Sequence, residues 1–373
     1  MPYDADAWTQ FGFDAQGVRC NPNERALSVR TAPYLIPVWS DKGKQFGSSS
    51  PVVSQGVLYV GAAKPAPALL AYNAATGVRL WSQPLANNGQ SAQSAPAVAD
   101  GVVVIGSANV LAAFAAATGS PLWQITFGRI VQGNPVIAGG IVYMSSQDGH
   151  LYAMNLANGA SVWTAPFGGQ LTATTALPSA TTGLAISGKL LAVGAGQTLY
   201  AFDATTGQPL WSQRAPGGLS NSAPTISDGI MYIGGFDGSF SALDAQTGAT
   251  LWSATTGSVV NGSAAVGYGL VYVGSGDGVV YAYNAKTGAL AWKRSIGGVI
   301  FTSPALANGV LYASTACDCG ATTAKDLAAL DARTGAPLWS FAVGYPLYSS
   351  PTVANGSLYA SAFTGLFAFS FSG

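Results

Sequence analysis

Charged side chains are scarce in this chain: Asp, Glu, Lys and Arg make up 8% of its 373 residues, and the formal net charge at pH 7 is zero. A protein that binds a phosphate backbone needs a basic patch, so nucleic acid is not expected as a partner. Long apolar runs are missing as well, because Gly or polar residues interrupt each run before the roughly 18 residues that a membrane helix needs. We therefore expect no transmembrane segment.

Groups for metal or acid–base chemistry are few, with one Glu, one His and fourteen Asp. Many Asp residues belong to a repeated turn phrase or directly precede Gly: Asp203, Asp244 and Asp331, then Asp100, Asp148, Asp228, Asp237 and Asp277. The remaining acidic residues are scattered, whereas a hard cation needs six or more clustered oxygens and general acid–base catalysis needs a positioned pair. The sequence therefore predicts no metal site and no catalytic residue. His150, which follows Asp148-Gly149, is predicted to be a turn residue.

The start of the chain and its composition bear on localisation. It begins Met1-Pro2-Tyr3-Asp4 and shows no charged start followed by an apolar stretch, so we expect a secretion signal to be absent from it or already removed. Few Lys and Glu, with abundant Ser, Thr, Gly and Ala, favour an exported bacterial protein, periplasmic or extracellular.

What the chain has in abundance is Gly (48), Pro (20) and strand-forming aromatic and β-branched residues, a composition typical of short strands joined by tight turns. Tryptophans recur at intervals of 40 to 48 residues, at Trp39, Trp81, Trp123, Trp163, Trp211, Trp252, Trp292 and Trp339. Seven of them end one phrase, seen as residues 201–207 (Ala-Phe-Asp-Ala-Thr-Thr-Gly) before Trp211. Such a register indicates a repeat architecture.

Each repeat predicts a four-stranded antiparallel meander, with strands A to D. In unit five, a Pro-containing strand leads through Asp228-Gly229 to a second strand, and Asp237-Gly238 leads into the third. Eight units of this kind predict an all-β, eight-bladed β-propeller. The eighth unit lacks an outer strand, while a surplus Trp strand, residues 34–39, precedes unit one. We therefore expect the N-terminal strand to complete the last blade, which gives a leader strap at 1–33 and one propeller domain at 34–373.

The repeated tryptophans could form either a ligand-binding ladder or a packing device. One Trp per repeat at a fixed offset favours packing, because an indole buries about 150 to 250 Å². We therefore predict that all eight are structural docking residues.

The phrase Ala242-Leu243-Asp244-Ala245-Gln246-Thr247-Gly248 through Leu251-Trp252 resembles the tryptophan-docking repeat of pyrroloquinoline-quinone (PQQ)-type propellers, and the resemblance covers residues 39–371. That family includes quinoprotein alcohol dehydrogenases and the non-catalytic lipoprotein subunit of the bacterial outer-membrane assembly machinery, to which this chain is similar in size. The leader, Trp8 to Glu24, looks like the segment before blade one in quinoprotein dehydrogenases. We interpret it as a strap on the propeller wall, with Trp8 as its anchor.

Quinoprotein dehydrogenases sandwich the quinone between a tryptophan and a disulfide of adjacent cysteines, beside a calcium ion. This chain departs from that pattern, because its tryptophans are assigned to docking and to the leader. Its nearest cysteine pair, Cys317 and Cys319, has a residue between. No cofactor is therefore expected; PQQ and calcium would be needed only if the chain were an oxidoreductase.

Loops on one face of a propeller surround its central funnel. In the meander, the D-to-A and B-to-C connections share that face, which predicts a binding rim that includes Arg129, Gln132, Asn221, Asn261, Phe301, Tyr345 and Tyr348. The B-to-C loop of unit seven, residues 315–326, contains two of the three cysteines. A disulfide between Cys317 and Cys319, or between one of them and Cys20, is predicted to cap it, with free thiols as the alternative. Unit four is expected to carry its extra residues near 177–188, on the opposite face.

Three functions remain open. The first is a non-catalytic binding scaffold that presents its funnel rim or blade edges to a protein or an extracellular polymer. The second is a small PQQ-dependent oxidoreductase. The third is a self-associating surface or filament subunit, favoured by the neutral, Ser/Thr/Gly-rich composition.

Overall fold

The structure is a computed structural model, which describes residues 7–64, 66–85, 94–166, 181–215, 217–316, 326–363 and 365–371. Its strands form eight antiparallel blades, which we number along the chain by their strand A. Blades 1 to 4 consist of Val52–Ser54, Val57–Ala62, Ala68–Asn73 and Arg79–Pro84; Ala97–Ala99, Val102–Ser107, Val110–Ala115 and Pro121–Thr126; Val131–Ala138, Ile141–Ser146, His150–Asn155 and Ser161–Pro166; and Thr181–Ser187, Leu190–Ala195, Thr198–Asp203 and Pro209–Arg214.

Blades 5 to 8 repeat the pattern. They consist of Thr225–Ser227, Ile230–Gly234, Ser239–Asp244 and Thr250–Thr255; Ala265–Gly267, Leu270–Gly274, Val279–Asn284 and Leu290–Ser295; Ala305–Ala307, Val310–Ser314, Leu327–Asp331 and Pro337–Phe341; and Thr352–Ala354, Ser357–Ala362, Gly365–Phe371 and Leu35–Lys42. A 3₁₀ turn, Ala32–Tyr34, and a short strand, Cys20–Asn21, precede Leu35. The predicted eight-bladed, all-β propeller is confirmed.

Ring closure follows the prediction too. Strand Leu35–Lys42 pairs antiparallel with Gly365–Phe371, so the N-terminal strand is the outer strand of blade 8. The sheet order of that blade places it on the outside, next to the last strand of the chain. Blade 8 therefore combines the strand that follows the leader with the last three strands of the described chain.

Local chemistry sets the turns. In the A-to-B turn of blade 5, Asp228 and Gly229 both have positive φ, 51° and 77°, as a two-residue hairpin of right-handed twist requires. In the C-to-D turn, the Asp244 carboxylate accepts the N–H groups of Gln246 and Thr247 at 3.0 and 2.8 Å. This Asx turn explains why six of the seven copies of the docking phrase place Asp or Asn four residues before Gly; the copy before Trp123 has Ala115 there.

Blade-to-blade packing makes the core. Apolar side chains of adjacent sheets interdigitate, as where Tyr59 and Leu69 of blade 1 meet Val103 and Phe114 of blade 2. The described clusters repeat around the ring. Because each blade buries its apolar faces only against its neighbours, closure of the ring keeps the apolar faces of all the blades out of water.

The leader, predicted as a strap on the propeller wall, follows the inner wall: it runs along the A strands in the central channel. Between Trp8 and Glu24 it hydrogen-bonds in order to strand A of all eight blades: Trp8 with Val53, Thr9 with Val98, Gln10 with Ile137, Ala15 with Ile186, Gln16 with Ile226, Val18 with Val266, Arg19 with Leu306 and Asn21 with Val353. The inner strands have unpaired edges along the axis, and the leader satisfies them.

Two further points complete the fold. The prediction of extra residues at 177–188 in unit four is wrong for most of that range, because Thr181–Ser187 forms strand A. In the part of the chain that the structure describes, no helix has the length and apolar character needed to cross a membrane.

Candidate functional site

The eight docking tryptophans act as identical links between blades. Each indole Nε1–H donates to a backbone carbonyl of the next blade at 2.8 to 3.1 Å: Trp39 to Ala74, Trp81 to Ala116, Trp123 to Leu156, Trp163 to Ala204, Trp211 to Ala245, Trp252 to Ala285, Trp292 to Ala332 and Trp339 to Leu35. These hydrogen bonds use the polar edge of every docking indole, which leaves none of them free to recognise a ligand.

Sequence reasoning missed a second donor in this motif. In blade 5 the Tyr232 hydroxyl donates to the same Ala285 carbonyl that accepts from Trp252, each at 3.0 Å. Blade 8 repeats this with Tyr359 and Trp39 on Ala74. The signal was present in the strand B pattern, where Tyr stands two residues before Gly or Ser.

The central funnel is a concave site lined by described residues, with a volume of about 570 Å³. Its wall comes from D-to-A connections and B-to-C hairpins, and it includes Asn221, Asn261, Phe301 and Tyr348 of the predicted rim. Arg129 and Tyr345 are exposed but do not line it. The side chain of Gln132 lies outside the described residues.

A ring of equivalent residues, one per blade, forms the throat of the funnel. Four of them are serines that we call the serine crown: Ser50, Ser263, Ser303 and Ser350. Each crown oxygen accepts a backbone N–H from the preceding blade, from Ser350, Ala223, Ser263 and Ser303 respectively, at 2.8 to 3.0 Å. Asn134 does the same for Ala95 at 2.6 Å. Side chains in the throat therefore fasten neighbouring blades.

The leader supplies the floor of the funnel through Phe11. Behind Phe11 lies the fully buried Arg19, whose guanidinium carbon is 4.8 Å from the Phe11 ring centroid and 5.3 Å from that of Trp8. The guanidinium donates to the carbonyls of Phe11, Pro304 and Pro351. Burial lowers the pKa of Arg19 to about 9. Arg19 thus fixes the floor against blades 7 and 8.

The described residues of the funnel do not fit PQQ with calcium. Its described lining contains no Asp, Glu, Cys or Trp, whereas calcium needs six to eight oxygen ligands, usually including carboxylates. Trp8 is buried beneath the floor. Within the described ranges, no group of three or more His, Cys, Asp or Glu could hold a metal ion. We therefore derive no step through a quinone.

His150 lies in the B-to-C hairpin of blade 3. Its Nδ1 is 3.4 Å from the Asp148 carboxylate, and the Tyr152 hydroxyl donates to that carboxylate at 2.7 Å. Blade 6 has the same Tyr–Asp bond, from Tyr281 to Asp277, with Val279 at the position of His150. The Tyr–Asp pair is thus a feature of the hairpin. His150, predicted to be a turn residue, is instead the first residue of strand C, directly after the turn.

The cysteines divide between described and undescribed residues. Cys20 is a free, partly buried cysteine in the leader strand. Cys317 and Cys319 lie outside the described residues, and so does most of the predicted 315–326 loop. The pairing of those two stays a prediction.

Exposed aromatic rings occur along one sector of the funnel face. Phe236 and Phe363 belong to B-to-C hairpins, while Phe301, Tyr345 and Tyr348 belong to D-to-A connections; each is 40 to 56% exposed. All five come from blades 5 to 8 and their junctions. We call Phe236, Tyr345 and Phe363, which do not line the funnel, the outer aromatic arc.

The closed ring and the eightfold indole link define a class, the eight-bladed propellers with PQQ-type tryptophan-docking repeats. Residues 37–177, 165–298 and 237–322 match the family described as outer membrane protein assembly factor BamB. The chain therefore belongs to that family.

Individual relatives agree with this assignment. BamB of Moranella endobia is 29% identical over 210 residues, which cover 50% of this chain and 53% of that protein. The chain spans about half the length of the curated relatives it matches. A europium-containing methanol dehydrogenase superposes with a TM-score of 0.79 at 14% identity, covering 98% of both chains. BamB from Moraxella catarrhalis superposes with a TM-score of 0.69 at 20% identity, covering 91% of this chain and 98% of that one. At these identities the two structures show the fold alone.

Proposed function

We propose that this protein is a non-catalytic scaffold that presents its funnel face to a protein partner in the bacterial periplasm or at the cell surface. The observation that carries the proposal is the outer aromatic arc. Exposed aromatic rings are enriched in protein interfaces and account for much of their binding energy. The family membership supports the same reading, because relatives are named as outer-membrane protein assembly factors.

The arc is built for binding more than for stability. Within the described part of the chain, the side chains of Phe236, Tyr345 and Phe363 form no hydrogen bond and no ring contact, and each lies outside the docking phrase. Arg129, on the same face, adds an exposed guanidinium, which suits interfaces well. Substitution of these residues should therefore change binding while leaving the free energy of unfolding within about 0.5 kcal/mol of the original.

Site-specific photo-crosslinking in the native host tests the proposal. A photoreactive phenylalanine analogue at position 236, 345 or 363 should crosslink the full-length chain to a discrete protein. Tyr268 is the matched control, since it is 47% exposed in the A-to-B turn of blade 6, on the opposite face. Equal crosslinking from position 268, or none from the arc, would contradict the proposal.

Substitutions complete the test once the partner is isolated. Tyr345→Ala and Arg129→Ala should weaken its binding without unfolding the protein. Trp252→Ala should instead lower the free energy of unfolding by about 3 to 5 kcal/mol. The oxidoreductase function would be favoured instead if the protein oxidised an alcohol with PQQ and calcium in a dye-linked assay, and if these rim substitutions abolished that activity without unfolding the protein.

Self-association is a second candidate, and the outer strands favour it. The residue before the docking Trp is a half-exposed apolar side chain in several blades, as Leu80, Leu122, Val162, Leu210 and Leu251. These strands also present an unpaired sheet edge at the perimeter. Light scattering over a range of protein concentrations should show oligomers if this candidate holds, and Leu210→Lys with Leu251→Lys should then restore a monomer.

A further inference from the structure

We propose that the funnel is a binding site for the end of a neutral oligosaccharide, held by stacking on Phe301 and Tyr348 and by hydrogen bonds to the serine crown and to Asn221 and Asn261. This site is separate from the protein-binding arc, and neither proposal depends on the other. The volume of about 570 Å³ lies within the range of roughly 300 to 1,000 Å³ that is usual for small-ligand sites.

The first argument is the charge of the wall. Among the described residues that line the funnel, none carries a charge; the polar ones are serines, a threonine, asparagines, a glutamine and Tyr348. A charged ligand would lose its hydration there without gaining a counter-charge. The wall therefore selects a neutral ligand rich in hydroxyl groups.

The second argument concerns unused donors. The four crown serines are each at most 4% exposed, and each hydroxyl oxygen already accepts a backbone N–H. In the described structure none of the four hydroxyl hydrogens has an acceptor. A buried donor without an acceptor is costly, so the throat presents a set of hydroxyl donors that a ligand oxygen would satisfy.

The third argument excludes an extended peptide. A peptide that adds to a sheet edge needs free backbone N–H and C=O groups. The leader already takes the inner edges of the eight A strands, and the crown takes the N–H groups of Ala223, Ser263, Ser303 and Ser350. Recognition in the funnel is therefore left to side chains.

The fourth argument is the pair of aromatic rings at the mouth. Phe301 and Tyr348 are 40% and 47% exposed, and both line the funnel. A sugar ring has an apolar C–H face that packs on an aromatic face, while its hydroxyl edge hydrogen-bonds to amides and hydroxyls. Aromatic rings above a neutral polar throat match both faces of a saccharide.

The experiment uses the full chain with maltotetraose, cellotetraose, chitotetraose and xylotetraose as probes. An uncharged capped tetra-alanine peptide is included for comparison. Saturation-transfer NMR and titration calorimetry should show binding of at least one saccharide with one site per chain, and no binding of the peptide. Phe301→Ala and Tyr348→Ala should each weaken it about two- to tenfold, and Phe301→Trp should keep it.

Phe236→Ala is the matched control, since Phe236 is an exposed phenylalanine on the same face that does not line the funnel. It should leave saccharide affinity unchanged, and thermal unfolding should show that all variants are folded. The proposal is overturned if no saccharide of the panel binds, if neither Phe301→Ala nor Tyr348→Ala changes saccharide affinity, or if the peptide binds and the saccharides do not. Loss of protein crosslinking from the arc with saccharide binding intact would overturn only the scaffold proposal.

Discussion

The indole Nε1–H of Trp339 donates to the carbonyl oxygen of Leu35 at 2.9 Å, a hydrogen bond that joins residues 304 positions apart. In the other seven links the acceptor lies in or just before the C-to-D turn of the next blade. Blade 8 has no such turn, because its outer strand comes from the N-terminal side. Leu35, the first residue of that strand, supplies the acceptor instead. Strand pairing and docking therefore close the ring together.

The first prediction concerns that closure. Deletion of residues 1–42 removes the outer strand of blade 8 and exposes the edge of Gly365–Phe371, an apolar strand. Exposed apolar edges recruit other chains, so the shortened protein should aggregate or unfold at a much lower temperature. Calorimetry and light scattering measure both effects. Deletion of residues 1–33 is the control, because it removes the leader but keeps strand Leu35–Lys42; it should lower the melting temperature less and cause no aggregation. A monomeric 43–373 chain with unaltered melting would show that closure does not need the N-terminal strand.

The second prediction separates contact from backbone strain. Gly288 and Gly269 have nearly equal φ, 71° and 75°, but a Cβ on Gly288 would lie 2.7 Å from the Trp252 ring, while a Cβ on Gly269 would meet nothing within 4 Å. Gly269→Ala should cost about 1 to 2 kcal/mol of unfolding free energy from left-handed strain. Gly288→Ala should cost clearly more, because the indole must also move. Urea denaturation compares the two, and equal losses would mean that the glycine is needed only for its φ.

The repeat could be predicted from sequence because the determinants of a blade are local and periodic. Trp252, its turn glycine Gly288 and the Asx residue Asp244 recur at fixed offsets, so each copy supports the same interpretation. The leader offered no such pattern. Its bonds to the blades use mostly backbone carbonyls, such as those of Ala15 and Gln16, which any side chain sequence can supply. Its path through the channel therefore could not be inferred.

The site was predicted less completely than the fold. Asn221, Asn261, Phe301 and Tyr348 were found because loop topology assigns them to the funnel face. The serine crown was missed, although Ser303 and Ser350 both stand directly before the proline of strand A. Each serine oxygen accepts an N–H group of the preceding blade, so its role depends on the distance between these two atoms. Only the assembled ring determines that distance.

The third prediction concerns the thiols. Burial, and then the charge of Asp14, raises the pKa of Cys20 to about 11, so little of the thiolate needed for alkylation exists at pH 8. Iodoacetamide should label Cys20 slowly in the native protein and readily after unfolding. In oxidised protein, mass spectrometry should then find Cys20 as the one free thiol and Cys317 bridged to Cys319. A Cys20→Ser variant should take up no label without a reductant. A disulfide that contains Cys20 would refute this pairing.

The fourth prediction follows from Asp14, whose carboxylate lies in the leader beneath blades 3 to 5 and accepts the Val18 N–H at 3.3 Å. Burial raises the pKa of Asp14 from its ordinary 3.8 to about 6, against the opposing effect of backbone hydrogen bonds. Between these two pH values, the folded protein therefore keeps a proton that the unfolded chain has lost. The contribution of Asp14 to the free energy of unfolding is fully present below pH 3.8 and is lost as the pH rises through about 6. Asp14→Asn keeps the oxygen acceptor and removes the charge. We expect it to be more stable than the original protein at pH 7 and similar at pH 3.5, as measured by urea denaturation.

The control for this pH effect is Asp237, whose pKa is shifted in the opposite direction from that of Asp14. Hydrogen bonds from Ser239 lower the pKa of the exposed Asp237, so its charge stabilises the folded state above the ordinary pKa, and that stabilisation is lost as the pH falls. Asp237→Asn should therefore be no more stable than the original protein at pH 7. If both variants gained stability at pH 7, the effect would belong to the general loss of negative charge. If Asp14→Asn gained none, the Asp14 carboxylate would have to be hydrated in the folded protein, and the leader would then pack less closely in the channel than its hydrogen bonds to the eight blades require.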